Sequence, residues 1–231
     1  MKTLGMIGGV GPESTVDYYV SIIERYRNLK PDGSYPQFLI NSIDLNKGRG
    51  MIEEKNWPAV TAFLVEEIEK LARGGAEFGL ISANTPHIVF DDVQRQSPIP
   101  LISIVEATAK VAQEMGVRRV GLFATRFTIV AEFYPKTFSK YGIEVISPDP
   151  ADVDFIHDKY MNELVNGIFR DETRAALLGI VEEMAREKHV EAIILGGTEL
   201  PLILRGESHN GIPFLNTTKI HVAAAVAEML A

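Results

Sequence analysis

Short apolar runs punctuate the chain: Leu4–Ile7, Phe38–Ile43, Phe78–Ile81, Leu101–Ile104, Val120–Phe123, Val145–Ile146 and Ala192–Leu195. They are too uniformly hydrophobic for strands with one wet face, and they predict the strands of a parallel sheet covered on both sides. Between them the pattern changes to the helical period. Over 57–72, Val60, Phe63, Leu64, Ile68 and Leu71 fall on one side, with Glu66, Glu67, Glu69 and Lys70 elsewhere, which predicts an amphipathic helix. Residues 175–188 and 220–230 read the same way, and further helices are expected after Ser103 and over 152–165. Strands alternating with helices predict an α/β fold with parallel sheets.

The pattern repeats once. Leu4-Gly5-Met6-Ile7-Gly8-Gly9 matches Val120-Gly121-Leu122-Phe123-Ala124-Thr125, and Gly79-Leu80-Ile81-Ser82-Ala83-Asn84-Thr85 matches Ile193-Ile194-Leu195-Gly196-Gly197-Thr198-Glu199 at nearly the same offset. Two similar α/β domains are therefore expected. The second begins near Ile102, and the final helix returns to the first, giving 1–101 plus 212–231 and 102–211.

Composition narrows the chemistry. The 231 residues include no cysteine, which excludes disulfides, cysteine-ligated metals and thiolate catalysis. A net charge of −8 argues against broad attraction to nucleic acid or anionic membranes, so a small-molecule partner is expected. No uncharged run approaches the ~20 residues that span a bilayer, and the N-terminus runs directly into a glycine loop, so a cytoplasmic protein is expected. His87, His157, His189, His209 and His221 lack metal-ligand spacing, and no metal is expected.

Ligands of open parallel sheets bind beyond the carboxyl ends of the strands. Four such ends carry polar or glycine-rich residues. Gly8-Gly9-Val10-Gly11-Pro12-Glu13-Ser14-Thr15 lacks the third glycine of a dinucleotide fingerprint and the lysine of a P-loop, yet leads backbone N–H groups into a helix N-terminus suited to a carboxylate or phosphate. Ser82-Ala83-Asn84-Thr85-Pro86-His87 and Gly196-Gly197-Thr198-Glu199 place amide, hydroxyl and carboxylate groups where they either cap a helix or meet a ligand. At the fourth end, Thr125 offers a hydroxyl, and Thr128 is a candidate N-cap. Arg49, in the glycine-flanked stretch Lys47-Gly48-Arg49-Gly50, is either a loop arginine that closes over a carboxylate or a solvated one.

These motifs, together with Thr125-Arg126-Phe127-Thr128 and Phe133-Tyr134, resemble the aspartate/glutamate racemase family over essentially the whole chain. The resemblance implies two flavodoxin-like domains with the ligand site in the cleft between them, a homodimer, and cofactor-independent racemisation of an acidic amino acid. It also implies two catalytic cysteines on opposite faces of the substrate, at the positions held here by Ala83 and Gly197. Asn166 stands where family members often carry a substrate-binding lysine. By resemblance, Gly9, Arg49, Ala83, Asn84, Thr85, Thr125, Gly197, Thr198 and Glu199 surround the ligand; with both thiols missing, His87 and Glu199 are the candidate proton carriers. Three readings stay open: a racemase without thiols, a catalytically silent carboxylate-binding homologue, and a lyase or isomerase that needs one proton transfer.

Overall fold

The computed structural model describes residues 1–231, the side chain of Leu45 excepted. In chain order the first part comprises β1 (Leu4–Gly8), α1 (Pro12–Leu29), β2 (Phe38–Ser42), α2 (Leu45–Glu53), α3 (Trp57–Arg73), β3 (Phe78–Ile81), α4 (Phe90–Gln96), β4 (Leu101–Ile102) and α5 (Ile104–Glu114). The second comprises β5 (Arg119–Phe123), α6 (Arg126–Val130), α7 (Phe133–Ser139), β6 (Glu144–Ile146), α8 (Pro150–Asn162), α9 (Asp171–Lys188), β7 (Ala192–Leu195), α10 (Leu200–Ile203), β8 (Ser208–His209), β9 (Ile212–Asn216) and α11 (Thr217–Leu230). Each expected apolar run contains a strand.

Two sheets form, one in each of two compact units, Met1–Ile104 with His221–Ala231, and Val105–Ile220. The first has the order β2-β1-β3-β4 and is parallel throughout. The second has the order β6-β5-β7-β9, again parallel, with β8 antiparallel to β9 at its edge. The internal repeat is thus a repeat of sheet topology. One boundary differs from expectation. The segment 212–220, expected with the first domain, belongs to the second unit, because β9 hydrogen-bonds to β7 along Ile193–Phe214, Ile194–Leu215 and Leu195–Asn216.

In the first unit Leu4, Met6, Phe78 and Leu80 pack against Tyr18, Ile22 and Tyr26 of α1 and against Val222, Ala225, Val226 and Met229 of α11. Spacing of four residues along α1 puts those three side chains on one stripe. Ile7 and Ile81 pack with Val60, Leu64, Ile68 and Leu71 of α3 in a second layer. The apolar period of the sequence is therefore the period of burial. In the second unit Phe123, Ile193 and Leu195 pack with Ile156, Tyr160 and Leu164 and with Leu177, Ile180, Val181 and Met184 of α9. Burying one such side chain stabilises by about 1.5–3 kcal/mol, so these layers supply most of the driving force.

Two buried histidines stitch the first unit where the chain leaves and re-enters it. Tyr18 donates its hydroxyl proton to His221 Nδ1 at 2.8 Å, and His221 Nε2 donates to the Ile102 carbonyl at 2.9 Å. The Ile104 N–H donates to His87 Nε2 at 3.2 Å, which leaves the proton on Nδ1 to reach the Ala83 carbonyl at 2.9 Å. Both imidazoles are therefore held neutral with fixed tautomers. Burial drives both away from the charged form. His87, which also faces His221, falls from 6.5 to about 3, and His221 falls to about 4.

The sign of the pH dependence follows. Below pH 6.5 the unfolded chain takes up protons at these histidines that the folded chain refuses, so stability is full above that pH and declines as pH falls towards 4 and then 3. Each histidine contributes a slope of up to about 1.4 kcal/mol per pH unit. Urea denaturation at pH 7.5, 6.0 and 5.0 is expected to show this loss, with a shallower slope in His221→Asn.

Candidate functional site

At the carboxyl end of β1 the chain turns through Gly9 into α1. Gly9 has φ +78°, and a Cβ there would lie 2.4 Å from the Ile43 carbonyl oxygen and 2.7 Å from the Ile43 nitrogen. Glycine is required because the next strand's backbone runs directly against it. The Gly9 N–H donates to Thr15 Oγ1 at 2.9 Å, and Thr15 Oγ1 donates to the Gly11 carbonyl at 3.0 Å. Pro12 occupies the first helical turn and Glu13 follows it, as a helix N-terminus favours.

The end of β3 is tied to this turn. Ser82 donates to the Ile7 carbonyl at 2.8 Å, and Ser14, itself buried, donates to the Ser82 carbonyl at 2.9 Å. Both hydroxyls are thus committed to joining strand ends and α1. Ala83 and Asn84 are buried and Thr85 is half-buried at the start of a short 3₁₀ turn, Thr85–Val89. His87 lies in that turn, fully enclosed, stacked on Phe90 with ring centroids 5.0 Å apart, and both its nitrogens face backbone groups. Arg49 is not in a loop. It lies in α2, exposed and paired with Glu53 at 2.7 Å, one turn along the same helix.

In the second unit, Thr125 ends β5 as the N-cap of α6, where it accepts the Thr128 N–H at 3.4 Å. The cap is Thr125 and not Thr128, because Thr125 has the extended backbone that a cap requires. At the end of β7, Gly196, Gly197, Thr198 and Glu199 are all buried. Thr198 donates to Glu199 Oε2 at 2.9 Å, and Tyr160 of α8 donates to the same oxygen. Burial first, and then the Glu199 charge and hydrogen bond, push the Tyr160 phenol well above its ordinary range, so it stays a proton donor to the carboxylate.

Tyr160 was not among the residues expected at the site. It belongs to the buried stripe Ile156, Tyr160, Leu164, where a tyrosine signals a polar partner for its hydroxyl. Asn166 lies beyond that stripe, exposed, with Nδ2 donating to the carbonyls of Met161 and Asn162, each at 3.3 Å. Buried Glu163 accepts from Lys159 at 2.8 Å and Thr173 at 2.6 Å, and the Lys159 bond above all holds its carboxyl below the usual carboxylate range. A cavity of about 250 Å³ in this unit is lined by Phe169, Arg170, Asp171, Arg174, Ile203 and Arg205, none of them expected at the site.

The family model for Asp/Glu/hydantoin racemases matches residues 7–225. The broad specificity amino-acid racemase RacX of Bacillus subtilis (strain 168) is 24% identical over 237 residues, covering 99% of this chain and 98% of that protein. Among solved structures, a putative Asp/Glu racemase from Yersinia pestis superposes with a TM-score of 0.92 at 31% identity, and an aspartate racemase homologue from Pyrococcus horikoshii OT3 with a TM-score of 0.88 at 32% identity. Both matches cover 100% of each chain.

The tightest constraint at these strand ends is Gly9. Gly9→Ala adds a methyl group in a left-handed backbone conformation and forces it into the Ile43 backbone, so a loss of at least about 2 kcal/mol is expected in chemical denaturation.

Proposed function

The chain belongs to the Asp/Glu/hydantoin racemase family, and we propose that it binds an acidic amino acid or small dicarboxylate at its strand ends without racemising it. The observation that carries this reading is the absence of any cysteine in a chain that keeps Asn84, Thr85, Thr125, Thr198 and Glu199 at those ends. Ala83 and Gly197 stand where the family resemblance implies the thiols, and neither side chain can carry a proton. Hydroxyl, amide and backbone N–H groups suit carboxylate oxygens.

His87 supports binding more than turnover, because its two nitrogens are engaged by the Ala83 carbonyl and the Ile104 N–H. One observation favours a second reading, a one-base lyase or isomerase: Glu199 is a buried carboxylate at the end of β7 with two hydroxyl donors on one oxygen. The same proposal carries the remaining expectations of the resemblance, namely a homodimer in the cytoplasm that works without a cofactor. Support for a dimer comes from Val16, Tyr19 and Val20, exposed on α1, and from Ile40 on the edge strand β2.

Two measurements test the reading. L-aspartate, D-aspartate, L-glutamate and succinate, tried singly in a thermal-shift series, are expected to include at least one ligand that raises Tm. Ligand at 100 times its Kd stabilises by about 2.7 kcal/mol. No shift with any of them at tens of millimolar would overturn the binding assignment for this class. The same amino acids in deuterated water, followed at the Cα proton by NMR, are expected to show no exchange. Exchange with inversion would overturn the proposal in favour of a racemase, and exchange with retention would favour the one-base reading.

A further inference from the structure

Gly197 is a glycine without a backbone reason to be one. Its φ lies outside the left-handed region, so an alanine or cysteine would meet no conformational penalty there. What excludes a side chain is Tyr160. A Cβ on Gly197 would lie 2.5 Å from Tyr160 Cε2, 2.9 Å from its hydroxyl oxygen and 3.0 Å from Cζ. A thiol would reach further into the same space.

The ring has little freedom to yield. Tyr160 is buried among Ile156, Leu164, Leu177 and Leu200, and its hydroxyl is anchored on Glu199, which is itself only 3% exposed. Moving the ring out of the way breaks that bond and leaves a buried carboxylate oxygen with one donor fewer.

We propose that Tyr160 is the residue that determines what position 197 can carry: its ring occupies the place of a side chain there, and the end of β7 presents a phenol–carboxylate pair in which Tyr160 positions Glu199. The coupling between Tyr160 and Gly197 is independent of any ligand. Its consequence for racemisation rests on the resemblance that implies a cysteine at 197. On that footing, restoring a thiol at 197 gives no useful activity until Tyr160 is made smaller.

The test is a double-mutant cycle read by thermal denaturation. Gly197→Ala is expected to lower Tm by about 5 °C or more in the otherwise unchanged protein and in a Tyr160→Phe background, where the ring remains. In a Tyr160→Leu background the same substitution is expected to cost about 1 °C or less. An equal loss in all three backgrounds overturns the assignment. If Tyr160→Leu does not fold, the crystal structure of Gly197→Ala decides: a ring displaced from Glu199 supports the proposal, and a ring left in place on Glu199 overturns it.

The functional arm compares Ala83→Cys/Gly197→Cys with and without Tyr160→Leu, following conversion of L-aspartate to D-aspartate. At least a tenfold higher rate is expected with Tyr160→Leu, a difference that a packing role alone does not produce. Equal, measurable rates overturn the role of Tyr160. If the stability coupling holds and both cysteine variants are inert, the role of Tyr160 at 197 stands and the implied cysteine positions fall.

Discussion

A parallel strand buried on both faces must end somewhere, and at its carboxyl end polar groups meet a dry interior that charges a few kcal/mol for each one left unbonded. That requirement organises this molecule. Ser82 closes on the Ile7 carbonyl, Ser14 on the Ser82 carbonyl, and Thr217 of α11 on the Leu195 carbonyl at 2.8 Å. The first two bonds join the ends of β1 and β3 to each other and to α1, and the third joins the end of β7 to the first turn of α11. The glycine turn after β1, the 3₁₀ turn after β3 and the first turn of α11 are local solutions to one problem.

The same requirement divides the polar residues at these ends into two kinds. Ser14, Thr15 and Ser82 direct their hydroxyls at backbone groups, Thr125 caps a helix, and His87 spends both nitrogens on the backbone. Glu199 is different. It opens α10 without capping it, and its bonds are to the side chains of Tyr160 and Thr198. A group held by side chains instead of by the backbone is one whose surroundings a few substitutions can rebuild, and it is at this end that the chain differs most from what the resemblance implies.

Much of this was legible from apolar periodicity. The short runs were strands because a parallel sheet tolerates no polar face, and the matched runs beginning at Leu4 and Val120 became the central strands of two sheets of equivalent order. What periodicity left unread was partnership. Pro213-Phe214-Leu215-Asn216 looks alike whichever sheet receives it, and only its register against Ile193–Leu195 assigns it to the second. Arg49 reads as a loop residue between two glycines, yet Asp44 caps a helix that runs through both. Tyr160 is remote in sequence from Gly197; its place on the stripe Ile156, Tyr160, Leu164 signals a polar partner, but that the ring lies where a side chain at 197 would is visible only in the fold.

The two positions that the resemblance assigns to thiols therefore differ in kind. Ala83 keeps a Cβ, and one added sulfur is all that separates it chemically from a cysteine; its carbonyl is held by His87, so the backbone there is fixed whatever the side chain. Gly197 carries no side chain, and a Cβ there would run into the ring of Tyr160 on another helix, a ring bonded to the next acidic residue along. A single substitution at 83 is a local chemical event. At 197 the packing of α8 against the end of β7 ties any added side chain to the fate of a residue on a different element. Any side chain placed at 197 must either overpack the core or leave a buried carboxylate short of a donor.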